Sequence, residues 1–262
     1  MVAMLVKTRD ASDRDNLQRA TGAMISRAKE VDARPVLAGL AKGDNDAKAN
    51  LIALLPPIGG NDALTAVRTH LKTDHLEVSR SAVRALSNWP DPTPLEDLLA
   101  IAKGGTDSLS QILAIRGYIK LLSYPAGRSA EETVKLLGKI MAVAGRSDEK
   151  KAILSALPSF PCKAALAMAD RALGDKALIE EATLASRKIK QLMVSKSLSA
   201  KASINNRDVK NALDGNKGTR WATGRGMKPG DWFLVDIGVE SIVGGITLDA
   251  ASSRGDYPRG YE

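Results

Sequence analysis

The chain is short of the residues on which most site chemistry is built. One cysteine, Cys162, stands in 262 residues, which excludes an internal disulfide framework and a four-cysteine zinc site. It lies in Ser159-Phe160-Pro161-Cys162-Lys163 and reads as a buried or loop-end thiol rather than a nucleophile. Histidine is limited to His70 and His75. Five residues apart at a helix–loop edge, they make a poor metal pair and leave little for acid–base work near neutral pH. No nucleophile–base pair, metal triad or phosphate loop is spelled out, so the chain is read as non-enzymatic. No apolar run reaches about 18 residues, so membrane insertion is not expected. Met1-Val2-Ala3-Met4-Leu5-Val6 is too short for a signal peptide and is followed at once by charge.

Aromatics are also scarce, at 3%, and unevenly placed. Trp221, Trp232, Phe233, Tyr257 and Tyr261, five of the nine, lie beyond residue 195, as do ten of the 22 glycines. The first 195 residues are instead rich in Ala, Leu, Lys and Glu. That shift marks a boundary between a helical part, 1–195, and a β-rich part, 196–262. The net charge of +8 divides into +6 and +2 across it. The charge is spread, without aromatic interleaving, and reads as a solvated basic surface; nucleic acid is not the favoured partner.

From about residue 10 the apolar residues recur at helical spacing. Leu17, Ala20, Met24 and Ile25 share one side of the first run. Val36, Leu37 and Leu40 close a helix before the Gly43-Asp44-Asn45-Asp46 turn, and Ala47, Leu51, Ile52, Leu54 and Leu55 follow. Pro56-Pro57 stops that run, and Asn61-Asp62 reads as the cap of a helix starting at Ala63. The same grammar returns three more times, with breaks at Trp89-Pro90, at Pro125, and at Pro158 with Pro161, and a last helix spans Ala177 to Met193. The unit is two antiparallel helices repeated over roughly 30 to 40 residues. This pattern resembles the HEAT-repeat, armadillo-like α-solenoids. Arg80, Arg84 and Asp91 fit the repeat's usual decoration, and Leu113-Ala114-Ile115-Arg116-Gly117-Tyr118-Ile119-Lys120-Leu121-Leu122 looks typical of bacterial members. Ser186 to Gln191 and Lys196 to Lys201 read as a basic helix C-terminus followed by a Ser-rich linker.

Beyond the join the period changes to two. Trp232, Leu234 and Asp236 alternate with Phe233, Val235 and Ile237, as a strand requires. Ile242, Val243, Ile246 and Leu248 spell a second strand, bulged at Gly244-Gly245, and Gly260 opens a third. Three ordered blocks carry a second resemblance: Asn211-Ala212-Leu213-Asp214-Gly215-Asn216-Lys217-Gly218-Thr219-Arg220-Trp221, then Asp231-Trp232-Phe233-Leu234-Val235-Asp236-Ile237-Gly238, then Tyr257-Pro258-Arg259-Gly260-Tyr261. They resemble the first half of a discoidin domain (coagulation-factor type C), a galactose-binding-like jelly-roll sandwich that includes bacterial carbohydrate-binding modules. The family pattern would continue past Glu262, so the segment is read as truncated at its C-terminus, with apolar faces such as Val235, Ile237, Ile246 and Leu248 partly uncovered.

The resemblance implies two sites. Asp214 and Thr219 would be side-chain ligands of a structural Ca²⁺ in the complete domain, with Asn211 and Asn216 giving mainly carbonyl oxygens. Two or three protein oxygens fall short of the about six to eight that Ca²⁺ takes. Arg254, Asp256, Tyr257 and Arg259 would form a glycan-binding loop, Tyr257 offering a ring face and the others hydrogen bonds. Trp221 and Trp232 read as core. The expected whole is a multidomain, non-catalytic scaffold. Its α-solenoid docks a protein partner, and its incomplete all-β sandwich holds a glycan, in an extracytoplasmic setting by resemblance. The alternatives are an accessory region of a larger secreted enzyme or haem-containing protein, and a basic solenoid for anionic polymers.

Overall fold

A computed structural model describes residues 1–28, 31–104, 107–216, 218–238, 245 and 247. The chain is mostly helical, with a two-stranded antiparallel sheet on its C-terminal side. It forms two compact units, Met1–Ser186 and Arg187–Glu262. Among the described residues no helix is long and apolar enough to cross a membrane.

The first unit runs α1 (Val2–Lys7), α2 (Ala11–Arg27), α3 (Arg34–Lys42), α4 (Asn45–Ile52), α5 (Gly60–His70), α6 (Leu76–Ser87), α7 (Leu95–Gly104), α8 (Ser108–Leu122), α9 (Ala130–Met141), α10 (Ser147–Ala156), α11 (Lys163–Ala172) and the start of α12 (Ile179–Ser197). The even helices α2, α4, α6, α8 and α10 pack side by side in one layer, each against the next. In the facing layer α9 packs on both α7 and α11, and α3·α4, α5·α6 and α7·α8 are the pairs across the layers. Leu51, Ile52, Val67, Ala82, Leu86, Leu98, Ala114, Tyr118, Leu121, Leu137, Ile140, Ile153 and Leu157 are 0% exposed and form the core from α4 through α10 and the short turn of helix after it. At about 25 cal/mol per Å² of apolar surface removed from water, that shared core dominates the stability of helices too short to persist alone.

Polar groups set the register of the even layer twice by one device. Asp107 caps α8 by accepting from the Ser110 N–H at 3.0 Å. Its carboxylate also takes both arms of Arg80 on α6, at 3.0 and 2.9 Å. Asp44 likewise caps α4 through the Ala47 N–H and takes Arg14 of α2 at 2.8 Å. Arg14 is 2% exposed, and its Nε–H donates to the Thr8 carbonyl at 2.6 Å, so the buried cation is fully paired. The facing layer has its own ties, Arg68 to Asp97 at 2.8 Å and Lys139 to Glu96 at 3.6 Å.

Four expectations are corrected here. α2 turns Ile25 inward together with Arg14 and Thr21, while Ala20 is exposed and Met24 is 59% exposed. The paired guanidinium occupies the place an apolar side chain would take. The cap of α5 is Gly59 at φ +68, a backbone that only glycine adopts freely, so the helix begins at Gly60 ahead of Asn61-Asp62. Residues 1–6, read only for a signal, carry α1, with Leu5 fully buried. The expected linker is instead the end of α12 followed by strand β1 (Ser199–Ala202).

In the second unit β1 pairs antiparallel with β2 (Phe233–Asp236), Ser199 opposite Asp236 and Ala202 opposite Phe233. A 3-10 helix, Asn206–Ala212, buries Val209 between them in sequence. The strand expected over residues 242–248 and the one opening at Gly260 lie outside the described residues, Gly245 and Thr247 aside.

Candidate functional site

The Asp-Gly-Asn turn follows directly from the 3-10 helix. Gly215 sits at φ +70, which reverses the chain. Asp214 Oδ1 accepts from the Asn216 N–H at 2.8 Å, and its Oδ2 accepts from the Thr219 hydroxyl at 2.6 Å. Asn216 Oδ1 accepts from the Gly218 N–H at 2.9 Å, and the Asn216 carbonyl accepts from the Thr219 N–H at 3.1 Å. The Thr219 hydroxyl and the Asn216 N–H together hold the Asp214 carboxyl below the usual carboxylate range. Three of the four residues expected to surround a cation, Asp214, Asn216 and Thr219, therefore share one turn. Asn211 joins by another route, its amide donating to the Arg220 carbonyl at 3.3 Å across the base of the loop.

Asp214 is the turn's one carboxylate, and each of its oxygens already accepts from the turn's own donors. Among the described residues no group of three or more His, Cys, Asp or Glu side chains is placed to hold a metal. The turn thus does not by itself fill the shell of about six to eight oxygens a Ca²⁺ requires.

Behind the turn, Trp221 is half-buried. Its ring lies 4.6 Å from that of Phe233 at 50°, and its indole N–H donates to the Asn205 carbonyl at 3.2 Å. Asn205 was not singled out in the sequence. It stands at φ +48, and its amide donates to the Ala222 carbonyl at 2.8 Å, so one residue ties the start of the 3-10 helix to the chain after the turn. The signal was the Asn205-Asn206 pair, since asparagine tolerates the left-handed region. Arg225 and Asp231 close the next loop with two hydrogen bonds, at 2.9 and 3.1 Å. Trp232, expected in the core, is 49% exposed; it precedes the strand, its carbonyl accepting from the Ser203 N–H and its own N–H donating to Ser203 Oγ. Arg254, Asp256, Tyr257 and Arg259 lie outside the described residues.

Elsewhere, Cys162 is 6% exposed and caps α11, its sulfur accepting from the Ala165 N–H at 3.4 Å. His70 Nδ1 lies 2.7 Å from the Ala66 carbonyl one turn back along α5, and His75 occupies the N-cap position of α6 without a side-chain bond to the helix.

No family model and no curated protein matches the chain. Among solved structures, the crystal structure of an engineered protein shares 21% identity, with 72% of this chain and 96% of that chain covered, at a TM-score of 0.42. A likeness that loose carries no inference about fold or function.

Proposed function

We propose that the chain is a non-catalytic binding protein: a HEAT-like α-solenoid that docks a protein partner, carried with a discoidin-like module that holds a glycan. The supporting observation is the pairing, in one chain, of stacked helix hairpins with the closed Asp214–Thr219 turn backed by Trp221 and Phe233. Stacked hairpins share one core and leave two broad helical layers for partners. The turn is a rigid polar corner of the kind from which binding loops project. On this reading Ca²⁺ would join Asp214, Thr219 and the carbonyls of Asn211 and Asn216, and the loop with Arg254, Asp256, Tyr257 and Arg259 would meet the sugar.

The test is a glycan array probed with the full chain, with and without Ca²⁺, beside Asp214→Ala. Binding to defined sugars that falls in the variant supports the module. Uniform absence of sugar binding, with or without Ca²⁺, removes the glycan arm of the reading.

A further inference from the structure

The even layer carries a surface strip that the reading above does not use. On α6 and its C-cap, Leu76, Arg80, Arg84 and Asn88 recur every four residues and so lie along one stripe. On α8 the matching stripe is Leu109, Ile112, Arg116 and Lys120. The two helices run parallel and in register. Arg80 reaches the cap of α8 near their N-terminal ends, and Lys120 Nζ donates to Asn88 Oδ1 at 2.9 Å near their C-terminal ends. Between these ties the backbones nearly touch, since a Cβ added at Gly117 would meet the Ser87 Cα at 2.6 Å.

The strip is apolar at one end and basic at the other. Leu76 is 49% exposed and Leu109 37%. Arg84, Arg116 and Lys120 are exposed at the opposite end. Arg80 is spent on Asp107 and Glu77, and among the described residues Arg84 has Glu77, at 3.9 Å, as its one carboxylate partner. Among the described residues Arg116 and Lys120 have no carboxylate at ion-pair distance, and α8 itself contains no acidic residue. Three exposed cations thus stand on adjoining helices, and among the described residues Glu77 is the one carboxylate at ion-pair distance from any of them.

Resting on the protein-docking reading, we propose that this face of α6 and α8 binds an amphipathic acidic peptide segment of a partner, its carboxylates on Arg84, Arg116 and Lys120 and its apolar side chains on Leu76 and Leu109. Leu109 to Lys120 spans about 16 Å of helix, the length of about five extended residues or three helical turns. Charge complementarity selects the acid, and two exposed leucines select apolar neighbours. A nucleic acid fits less well: three cations neutralise few phosphates, and the leucine end has nothing to meet on a phosphate backbone.

The test uses the full chain and fluorescence anisotropy with four labelled probes. These are a 14-residue peptide of interspersed Leu and Glu, its Leu→Ser and Glu→Lys counterparts, and a single-stranded DNA of equal charge. The Leu–Glu peptide is expected to bind, more weakly as salt rises, and better than the other three. R84E/R116E/K120E should weaken it on the order of tenfold or more. K42E/K135E/K163E, an equal change of charge on α3, α9 and α11, should leave it unchanged. The milder R84Q/R116Q/K120Q should fall between, with the helical circular dichroism of both basic-strip variants intact. Peptide binding that survives R84E/R116E/K120E overturns the strip while leaving protein docking in place. No binding of the Leu–Glu peptide, equal loss in both reversal variants, or tighter binding of DNA also overturns it.

Discussion

Gly117 shows how a single missing side chain can set a helix packing. Judged by helix propensity, alanine at a mid-helix glycine would stabilise α8 by about 1 kcal/mol. Contact decides otherwise, because the added Cβ would lie 2.4 Å from Ser87 Oγ and 2.6 Å from its Cα. The obstacle includes backbone, and overpacking costs about 1–3 kcal/mol. Gly117→Ala is therefore expected to lower stability by about 1 kcal/mol or more in urea unfolding, and a stabilised variant would show that α6 and α8 separate at no cost. One helical position on, Tyr118 is 0% exposed and its hydroxyl finds no partner among the described residues. Burial, then the charge of Glu96, pushes that hydroxyl's pKa up to about 12. Removing an orphaned buried hydroxyl relieves its desolvation, so Tyr118→Phe should be neutral or stabilising by about 1 kcal/mol. A clear loss in thermal denaturation would mean that the hydroxyl is satisfied.

At the scale of elements, Asp107 links the cap of one helix to the register of two. Bonds from Arg80 and then Ser110 hold its carboxyl far below the usual carboxylate range. A carboxyl depressed by folding adds stability above its unfolded value, near pH 4, and loses it as pH falls through the folded value. Asp107→Asn keeps a capping oxygen but not the charge. The variant should be less stable than the parent at pH 7. The gap should close in acid, and denaturation midpoints from pH 7 to pH 2 would measure it. A gap independent of pH would show that Arg80 gains nothing from the charge. The Ser129 capping box of α9 works in the same direction, its N–H and hydroxyl holding the Glu132 carboxyl low.

At the scale of the whole molecule, the two units differ in how their backbone is protected. α6 and α8 bury Ala82, Leu86, Ala114 and Tyr118 completely. Leu234 and Val235 of the two-stranded sheet remain 50% and 44% exposed. Two strands with an open face are marginal in isolation, whereas stacked repeats share one core. Native-state hydrogen exchange should therefore find the amides of β1 and β2 exchanging well before those of α6 and α8. Equal protection would show that the second unit unfolds only with the first.

Much of the helical unit was legible in the sequence because its signals are local. Apolar period and proline breaks act within a turn or two, and they marked the helix pairs from Val36 to Leu173. The Asp214 turn was legible for the same reason, since Asp-Gly-Asn closes on itself through neighbours. What escaped was whatever depends on a distant partner. Nothing local marks Arg14 as buried, because its partner Asp44 arrives 30 residues later, at the cap of α4. Ser199 to Ala202, poor in β-branched residues, is a strand because Phe233 to Asp236 lies beside it. The sequence by itself determined that paired helices alternate with breaks from Val36 to Leu173, and which turn carries the oxygens. Only the tertiary structure decided that Arg80 and Asp107 lock two helices, and that Arg84 and the pair Arg116 and Lys120 stand exposed on neighbouring helices. Those outcomes are set by packing between segments, which no local periodicity encodes.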